Sequence, residues 1–251
     1  MQRSAALATR LSSGIAGLLP DRVVGAAIRA VYPRVEPELD RIDDFVGKGG
    51  TAVDVGAWYG PWTSRLVRRA GHVVALEPAA QLAAHLRTVF PEVQVVAAAA
   101  SDRAGVAELF VSESGPTVGV SSLEHGRGPA VTVPLTTIDS LGLSDVRFIK
   151  LDVEGHELPA LRGAATVIQR DRPVLLVEVE ERIQPVERIV NLLTEWGYIG
   201  YVLPEDQWVR LSRFDLATHQ SAALRRVRQS FLAHVIWPRP RYVNSVLFRP
   251  T

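Results

Sequence analysis

Short, mostly apolar runs alternate with amphipathic segments along most of the chain. The runs are four or five residues long and rich in small or branched side chains. They lie at 52–55, 73–76, 93–97, 148–152 and 174–177. Such runs are typical of strands buried on both faces of a parallel sheet. Between them, segments such as 78–90 and 184–196 carry apolar residues at helical spacing. The alternation predicts an α/β fold whose mostly parallel sheet has helices on both faces.

Further strand and helix patterns extend this sheet. Strand patterns recur at 106–111, 130–135 and 243–248, and a hairpin is predicted at 198–203 and 207–211. We expect the last strand to complete a seven-stranded sheet. Residues 212–236 predict a mostly helical segment, and residues 112–129, which are rich in Gly and Ser, predict a flexible flap.

A glycine turn follows the first run and leads into the predicted helix at 62–70. Asp54 lies in the strand, Gly56 follows it, and Gly60 closes the turn. Gly56 permits a tight turn that a Cβ would obstruct, and Gly60 permits a ligand to approach the backbone closely. The second run ends in Glu77, about twenty residues after Gly56, where an acid can accept hydrogen bonds from ribose hydroxyls. The pattern predicts a nucleoside-containing cofactor at the carboxyl ends of these strands.

The residues of the turn distinguish between two such cofactors. A dinucleotide fold uses G-x-G-x-x-G, in which the second glycine leaves room for pyrophosphate. Here Ala57 and Trp58 occupy that part of the turn, and Asp54 precedes it. A carboxylate at this place would repel a phosphate but suits the amino group of S-adenosylmethionine. The turn therefore favours S-adenosylmethionine.

Charged side chains close the fourth and fifth strands. Lys150 and Asp152 are two residues apart and share a strand face, and His156 follows Asp152 by four residues. Glu178 ends the fifth strand, and the ends of neighbouring parallel strands lie ~5 Å apart. Asp152, His156 and Glu178 are therefore candidate catalytic residues, with His156 as a candidate general base.

Four motifs stand out along the chain. They are Asp54-Val-Gly-Ala-x-x-Gly, Ala75-Leu-Glu-Pro, Leu135-Thr-Thr-Ile-Asp-Ser-Leu and the segment 148–164. Together they resemble the FkbM family of S-adenosylmethionine-dependent methyltransferases, and the resemblance covers about residues 48–250. The last motif, which contains Lys150-x-Asp-Val-Glu-Gly-x-Glu, is the most specific, whereas the glycine turn is generic to class I methyltransferases.

The resemblance implies a class I methyltransferase fold, which is Rossmann-like, and O-methylation, often of sugar hydroxyls in polysaccharide or secondary-metabolite pathways. It implies a methyltransferase domain at 48–251, preceded by a helical extension at 1–47 that carries no family motif. Residues after the third strand border the adenine in this family. The expected cofactor-binding residues are Asp54, Gly56, Ala57, Tyr59, Gly60, Thr63, Glu77, Ser101, Asp102 and Asp152.

Asp152 and Glu178 are also the expected ligands of a metal ion. Two carboxylates suit Mg²⁺ or another divalent cation, which keeps several waters when bound by few protein oxygens. A cation that bridges two sugar hydroxyls would lower the pKa of the one that attacks. The alternative is that both acids fix loops without a metal, and that His156 is a structural residue.

Composition limits the other functions that the chain can have. The 251 residues include no cysteine, which excludes disulfides, thiolate catalysis and zinc–thiolate sites. The net charge of +1 argues against nucleic acid as a partner, and no apolar run approaches the ~20 residues of a membrane span. Arg10 and two serines interrupt any signal-peptide pattern near the start, so we expect a cytoplasmic protein.

The sequence allows more than one role for the N-terminal extension and more than one kind of methyl acceptor. Helices predicted within 1–20, 23–32 and 38–46 would cover a sheet edge, mediate a homodimer or form a lid over the substrate. We expect a small-molecule or oligosaccharide acceptor. The rival hypotheses are a methyltransferase of a non-sugar metabolite and a non-catalytic S-adenosylmethionine-binding protein. An N-methyltransferase of adenine would carry (N/D)-P-P-(Y/F) after the fourth strand, where this chain has Asp152-Val-Glu-Gly.

Overall fold

The computed structural model of the chain describes residues 20–111, 121–122, 130–227 and 242–251. Its α-helices are α1 Asp21–Val31, α2 Thr63–Leu66, α3 Ala80–Val89, α4 Glu157–Arg162, α5 Ala165–Asp171, α6 Val186–Glu195 and α7 Leu216–Val227. Short 3₁₀ helices lie at Tyr32–Arg34, Pro37–Asp44, Asp139–Leu141 and Leu211–Arg213. The strands are β1 Thr51–Val55, β2 His72–Leu76, β3 Gln94–Val96, β4 Ala99–Ala100, β5 Gly105–Val111, β6 Ser121–Ser122, β7 Ala130–Thr136, β8 Val146–Leu151, β9 Val174–Glu178, β10 Tyr198–Val202, β11 Val209–Arg210 and β12 Ser245–Pro250.

The larger sheet confirms the predicted α/β architecture but not the strand number. Its order is β11-β10-β12-β9-β8-β1-β2-β3, and the five strands from β9 to β3 are parallel. Strand β12 pairs antiparallel with both β9 and β10. The sheet has eight strands among the described residues, whereas seven were predicted. The extra strand is β11, which the predicted hairpin adds to the edge beside β10.

A second, smaller sheet follows β3 in the chain. Its order is β4-β7-β5-β6, and the long antiparallel pair of β5 with β7 contains both strands that were predicted at 106–111 and 130–135. The predicted flap between them lies outside the described residues, apart from Ser121–Ser122. The same is true of the first predicted helix up to residue 19 and of residues 228–241.

Two predicted helices differ in length or type from those observed. The helix expected at 62–70 has α-helical geometry only at Thr63–Leu66 and continues as turns. The helix expected at 38–46 is a 3₁₀ helix, Pro37–Asp44. Proline at the first position removes one backbone donor and fixes φ, which is tolerated at the start of a helix.

The two faces of the larger sheet bury different side chains. Residues on alternate positions of the central strands, such as Val53 and Ile149, pack against α4, α5 and α6. The opposite face carries Phe148 and packs against the extension and the helices α2 and α3. Asp54 and Lys150 are paired in the β1–β8 register and belong to this second face. The extension therefore covers the face of the sheet that carries the buried charges.

The extension is attached to the turn after β1 by specific contacts. Arg29 of α1 donates to the backbone oxygen of Tyr59 at 2.9 Å, and the Tyr59 hydroxyl donates to Asp21 at 3.4 Å. The rings of Tyr32 and Trp58 lie 5.8 Å apart. Across the described ranges, no helix is long and apolar enough to cross a membrane.

Candidate active site

Close packing and backbone conformation both require the glycines of the turn after β1. Gly56 has φ of 77°, and a Cβ there would lie 1.9 Å from the backbone oxygen of Asp152. Gly60 has φ of 76°, and its Cβ would lie 2.6 Å from the ring of Phe90. Both φ values lie in the region that favours glycine. The group that approaches Gly60 closely is thus a core side chain, where the sequence suggested a ligand.

Glu77 is held at the end of β2 by backbone groups. One carboxylate oxygen accepts from the N–H of Trp58 at 2.9 Å, and the other accepts from the N–H of Ala79 at 2.9 Å. Each oxygen keeps a further lone pair. Burial raises the pKa of Glu77 to about 7, although the two backbone hydrogen bonds oppose the rise. The carboxylate is therefore fixed in orientation and still able to accept from a pair of hydroxyls.

Asp54 is fully buried one strand away from Glu77. Its Oδ2 accepts from the hydroxyl of Thr63 at 2.5 Å, whereas Oδ1 is buried without a hydrogen-bond partner in the described part of the chain. Burial raises the pKa of Asp54, and the charge of Lys150 opposes this rise. A buried acceptor that lacks a donor is costly unless something supplies one. This atom fits the amino group of S-adenosylmethionine.

The other residues predicted in the turn face the protein interior. Ala57 is buried in the core on the extension side of the sheet, and Tyr59 is buried against α1. Thr63 is buried as well and is engaged by Asp54. The side chains of Ala57 and Tyr59 thus have structural surroundings, and the part of these residues left for a cofactor is the backbone.

His156 lies at the predicted adenine border. Its Nε2 is 3.0 Å from the hydroxyl oxygen of Ser101, which in turn donates to Asp102 at 3.3 Å. Because a hydroxyl has one proton, the oxygen that donates to Asp102 accepts from His156. The loop after β4 is also in close contact with the end of α4, since a Cβ at Gly163 would lie 1.9 Å from the backbone oxygen of Ser101. The structure thus joins Ser101, Asp102 and His156 into one hydrogen-bonded group.

Lys150 is a buried cation that holds Asp152. It is 5% exposed, and its ammonium group donates to Oδ2 of Asp152 at 2.8 Å. Burial alone would lower the pKa of Lys150, but the charges of Asp152, Glu36 and Asp54 outweigh burial and raise it. Burial would raise the pKa of Asp152, but Lys150 and Glu178 outweigh it and keep that pKa below its usual value. The pair is therefore ionised at neutral pH.

Glu178 meets Asp152 across the ends of β8 and β9, as the sequence predicted. Burial first, and then the charge of Asp152 and a hydrogen bond with it, raise the pKa of Glu178 well above its usual range. Asn244 also donates to the Glu178 carboxyl group. Burial and the neighbouring carboxylate thus both favour the protonated form of Glu178, whereas Lys150 favours the ionised form of Asp152.

The contacts of Asp152 and Glu178 bear on the predicted metal ion. Among the residues that the structure describes, no group of three or more His, Cys, Asp or Glu side chains could hold one. The ammonium group of Lys150 already lies 2.8 Å from Asp152. The structure therefore gives no support for a metal ion, and the assignment of Asp152 and Glu178 as its ligands stays a prediction.

Three acids beside Glu178 were not among the predicted site residues, namely Glu154, Glu157 and Glu180. A cavity beside Glu178 is lined by the side chains of Glu154, Glu157, Glu178, Glu180, Ile183 and Gln184, with Gly155. Burial and neighbouring acids raise the pKa of Glu154 to about 8, and burial raises that of Glu157 to about 7. The Glu-Gly-x-Glu spacing after Asp152 was a signal for two of these acids.

The strand order and the acids at the ends of the central strands define a class I methyltransferase fold. The family model of the methyltransferase FkbM domain matches residues 54–199, which is more than half of the chain. The chain belongs to the FkbM family of S-adenosylmethionine-dependent methyltransferases. No curated protein matches it.

Several solved structures are similar in fold. The methyltransferase FkbM from Methylobacillus flagellatus KT has 17% identity and a TM-score of 0.51, over 80% of this chain and 43% of its own. A protein of Streptococcus mutans described as a methyltransferase, in complex with SAH, has 12% identity over 86% of this chain and 97% of its own, with a TM-score of 0.46. An rRNA methylase from Streptococcus thermophilus has 8% identity over 86% of this chain and 96% of its own, with a TM-score of 0.47.

The identity and coverage of the M. flagellatus match decide what it shows about this chain. This chain spans less than half the length of the M. flagellatus protein, and at this identity the likeness concerns the fold. The exclusion of nucleic acid as a substrate stays a prediction from the sequence, as does a homodimer.

Proposed function

We propose that this chain binds S-adenosylmethionine and transfers its methyl group to a hydroxyl of a sugar or oligosaccharide. The observation that supports cofactor binding is the buried, unpartnered Oδ1 of Asp54, on the strand beside the one that Glu77 follows. In this proposal Asp54 accepts from the amino group, Glu77 accepts from the ribose hydroxyls, and Ser101 with Asp102 borders the adenine. S-adenosylmethionine supplies a methyl group on a sulfonium, which a hydroxyl oxygen can attack.

The acceptor end is the acidic cavity at the ends of β8 and β9. Carboxyl and amide groups of Glu157, Glu180 and Gln184 offer several hydrogen-bond acceptors and donors to one small polar molecule. The cavity itself has room for only about one water, and Gln184 already donates to Glu157. The polar lining is compatible with one hydroxyl of an acceptor, and the choice of a sugar rests on the resemblance to the FkbM family.

Asp152 is the proposed acceptor of the hydroxyl proton. It is the ionised member of the pair with Glu178, and Lys150 fixes its orientation. A positioned base typically contributes about 10²–10⁴-fold in rate. Glu178, whose pKa is raised by burial and by Asp152, serves to keep Asp152 oriented through their hydrogen bond. We assign His156 to the adenine border, because its Nε2 lies 3.0 Å from the hydroxyl oxygen of Ser101.

The experiment is a methyl-transfer assay with a panel of sugars and non-sugar alcohols, in the presence and absence of EDTA. We expect S-adenosylhomocysteine to form with a sugar acceptor and EDTA to have no effect. Loss of turnover in EDTA and its return with Mg²⁺ would reinstate the metal at Asp152 and Glu178. Turnover restricted to a non-sugar alcohol would favour the metabolite alternative. Cofactor binding without turnover on any acceptor would favour a non-catalytic binding protein.

Asp152→Asn and His156→Ala separate the two candidate bases. We expect Asp152→Asn to lose most turnover while it keeps S-adenosylhomocysteine binding. His156→Ala is expected to weaken binding and to retain turnover at saturating cofactor. The reverse pattern would make His156 the base and would overturn the role given to Asp152.

A further inference from the structure

Glu36 is a buried acid of the N-terminal extension, outside the residues 54–199 that the family model matches. It is 8% exposed, and both of its carboxylate oxygens are engaged. The hydroxyl of Tyr32 donates to Oε1 at 2.9 Å, and the indole N–H of Trp62 donates to Oε2 at 2.5 Å. A buried acid with two side-chain donors is fixed in place from both sides.

The position of Glu36 follows from the packing of Trp62. The Trp62 ring stacks on Phe148, with centroids 6.2 Å apart and planes at 27°. Phe148 is two residues before Lys150 on β8, so both side chains belong to the sheet face that the extension covers. Glu36 therefore lies on the same side of the sheet as the ammonium group of Lys150.

The charges of these groups act on one another. Burial raises the pKa of Glu36 to about 7, and the charge of Lys150 is the largest effect that opposes it. Lys150 in turn has acids from three segments around it: Asp152 beyond its own strand, Asp54 on β1, and Glu36 on the extension. A buried ammonium group needs such partners, because an uncompensated buried charge is strongly unfavourable.

We propose that Glu36 is a positioning residue of the active site, which holds Trp62 by a hydrogen bond, stabilises the charge of Lys150 from the extension side and thereby helps to keep Asp152 oriented towards the acceptor. The proposed effect of Glu36 on the charge of Lys150 does not depend on enzymatic activity. The proposed effect on the orientation of Asp152 rests on the proposed function. On this account the extension completes the site, and its contribution comes from a residue that the family motifs do not contain.

The first test uses the two lysines of the chain, Lys48 and Lys150. Lys48 is exposed and serves as an internal standard for acetylation by acetic anhydride, with mass spectrometry of the peptides as the readout. At pH 9, where Glu36 is ionised, wild-type Lys150 is expected to react far more slowly than Lys48. Glu36→Gln is expected to increase the Lys150 to Lys48 ratio, by about tenfold for each pH unit by which the pKa of Lys150 falls.

Asp40→Asn is the matched control, because Asp40 is an exposed acid of the same extension. It removes the same charge from the same segment but should leave the labelling ratio at the wild-type value. An unchanged ratio in Glu36→Gln, or the same increase in Asp40→Asn, would overturn the proposal. The melting temperature is measured for each variant, and a Glu36→Gln chain that labels faster only because it unfolds would also count against it.

The second test is turnover by the same variants with the acceptor found for the wild type. Glu36→Gln is expected to lower kcat by roughly tenfold or more, since small displacements of catalytic groups cost up to about 10²-fold. Its affinity for S-adenosylhomocysteine should stay within twofold of the wild type, and Glu36→Asp should recover part of the loss. Wild-type kcat in Glu36→Gln would refute the positioning role. An inactive wild type whose labelling ratio still responds to Glu36→Gln would refute the proposed function and leave the charge interaction between Glu36 and Lys150 supported.

Discussion

Glu77 and Asp152 close strands of the same sheet, but different kinds of groups hold them. Backbone N–H groups of the adjoining turns hold Glu77, at 2.9 Å from each oxygen. Side chains hold Asp152, namely the ammonium group of Lys150 and the carboxyl group of Glu178. The first arrangement depends on the path of the backbone, whereas the second depends on the identity of individual residues.

This difference separates a local site from an assembled one. Most of the cofactor end is built within 54–102, at the ends of β1, β2 and β4, and His156 joins it through Ser101. The acceptor end collects Glu36, Lys150, Glu178 and Asn244, which come from widely separated segments. A side-chain network of buried charges is costly when one member is missing. Single substitutions should therefore affect the stability of the acceptor end much more than that of the cofactor end.

The largest effect is expected from Lys150→Met. The variant leaves Asp152, Glu36 and Asp54 buried around an apolar side chain, and removal of one partner of a buried ion pair costs ~3–5 kcal/mol. The free energy of unfolding from urea denaturation at pH 8 measures the loss. At pH 5 the loss should be smaller, because the raised pKa of Glu36, about 7, lets it take up a proton.

Lys48→Met is the control for this prediction. Lys48 is exposed, and surface substitutions usually change stability by less than about 0.5 kcal/mol. If Lys150→Met is as stable as Lys48→Met at pH 8, the buried cluster does not depend on its cation, and the contrast with the cofactor end fails.

A smaller effect is expected from Trp62→Phe. The substitution keeps a ring against Phe148 but removes the donor to Glu36, and an unsatisfied buried acceptor costs ~1–3 kcal/mol. Trp208→Phe is the matched control, because the indole N–H of Trp208 donates to Asp44 at an exposed site. If urea denaturation gives equal losses in the free energy of unfolding for the two variants, the hydrogen bond to buried Glu36 contributes no more to stability than the exposed one.

The smallest effect concerns the pH dependence of stability through Glu154. Its folded-state pKa of about 8 lies above the ordinary value, so its favourable contribution is full below that ordinary value and is lost as pH rises towards 8. Glu154→Gln should therefore melt at a higher temperature than the wild type at pH 9, by ~2–4 °C per kcal/mol gained. At pH 5 the two should melt within a degree or so of each other. A difference of the same size at both pH values would contradict the assignment.

The sequence was informative where the site is local and uninformative where it is assembled. The turn from Asp54 to Gly60 and the acid at Glu77 follow from strand length, glycine spacing and the position of one carboxylate. The eighth strand, β11, lies in the predicted hairpin segment 207–211 but was not counted in the sheet, and only Val209–Arg210 forms a strand there. Glu36 was missed because its importance depends on Trp62 and Lys150, which only the fold brings to it.

The metal prediction shows the same limit of sequence reasoning. Strand register correctly brought Asp152 and Glu178 together, but it carried no information on their protonation. The lysine two residues before Asp152 supplies a compensating charge, and burial together with the charge of Asp152 raises the pKa of Glu178. Two nearby carboxylates therefore do not define a cation site until their other partners are known.

Calorimetric titration with S-adenosylhomocysteine, comparing the wild type with Glu77→Ala, tests the central claim most directly. The account predicts that the wild type binds and that Glu77→Ala loses ~1.5–3 kcal/mol, since the lost hydrogen bonds are to a charged group. That loss is a weakening of about 10–150-fold in Kd. Glu92→Ala, at an exposed position before β3, should bind like the wild type. Equal affinity in the wild type and Glu77→Ala would contradict the placement of the cofactor at the ends of β1 and β2.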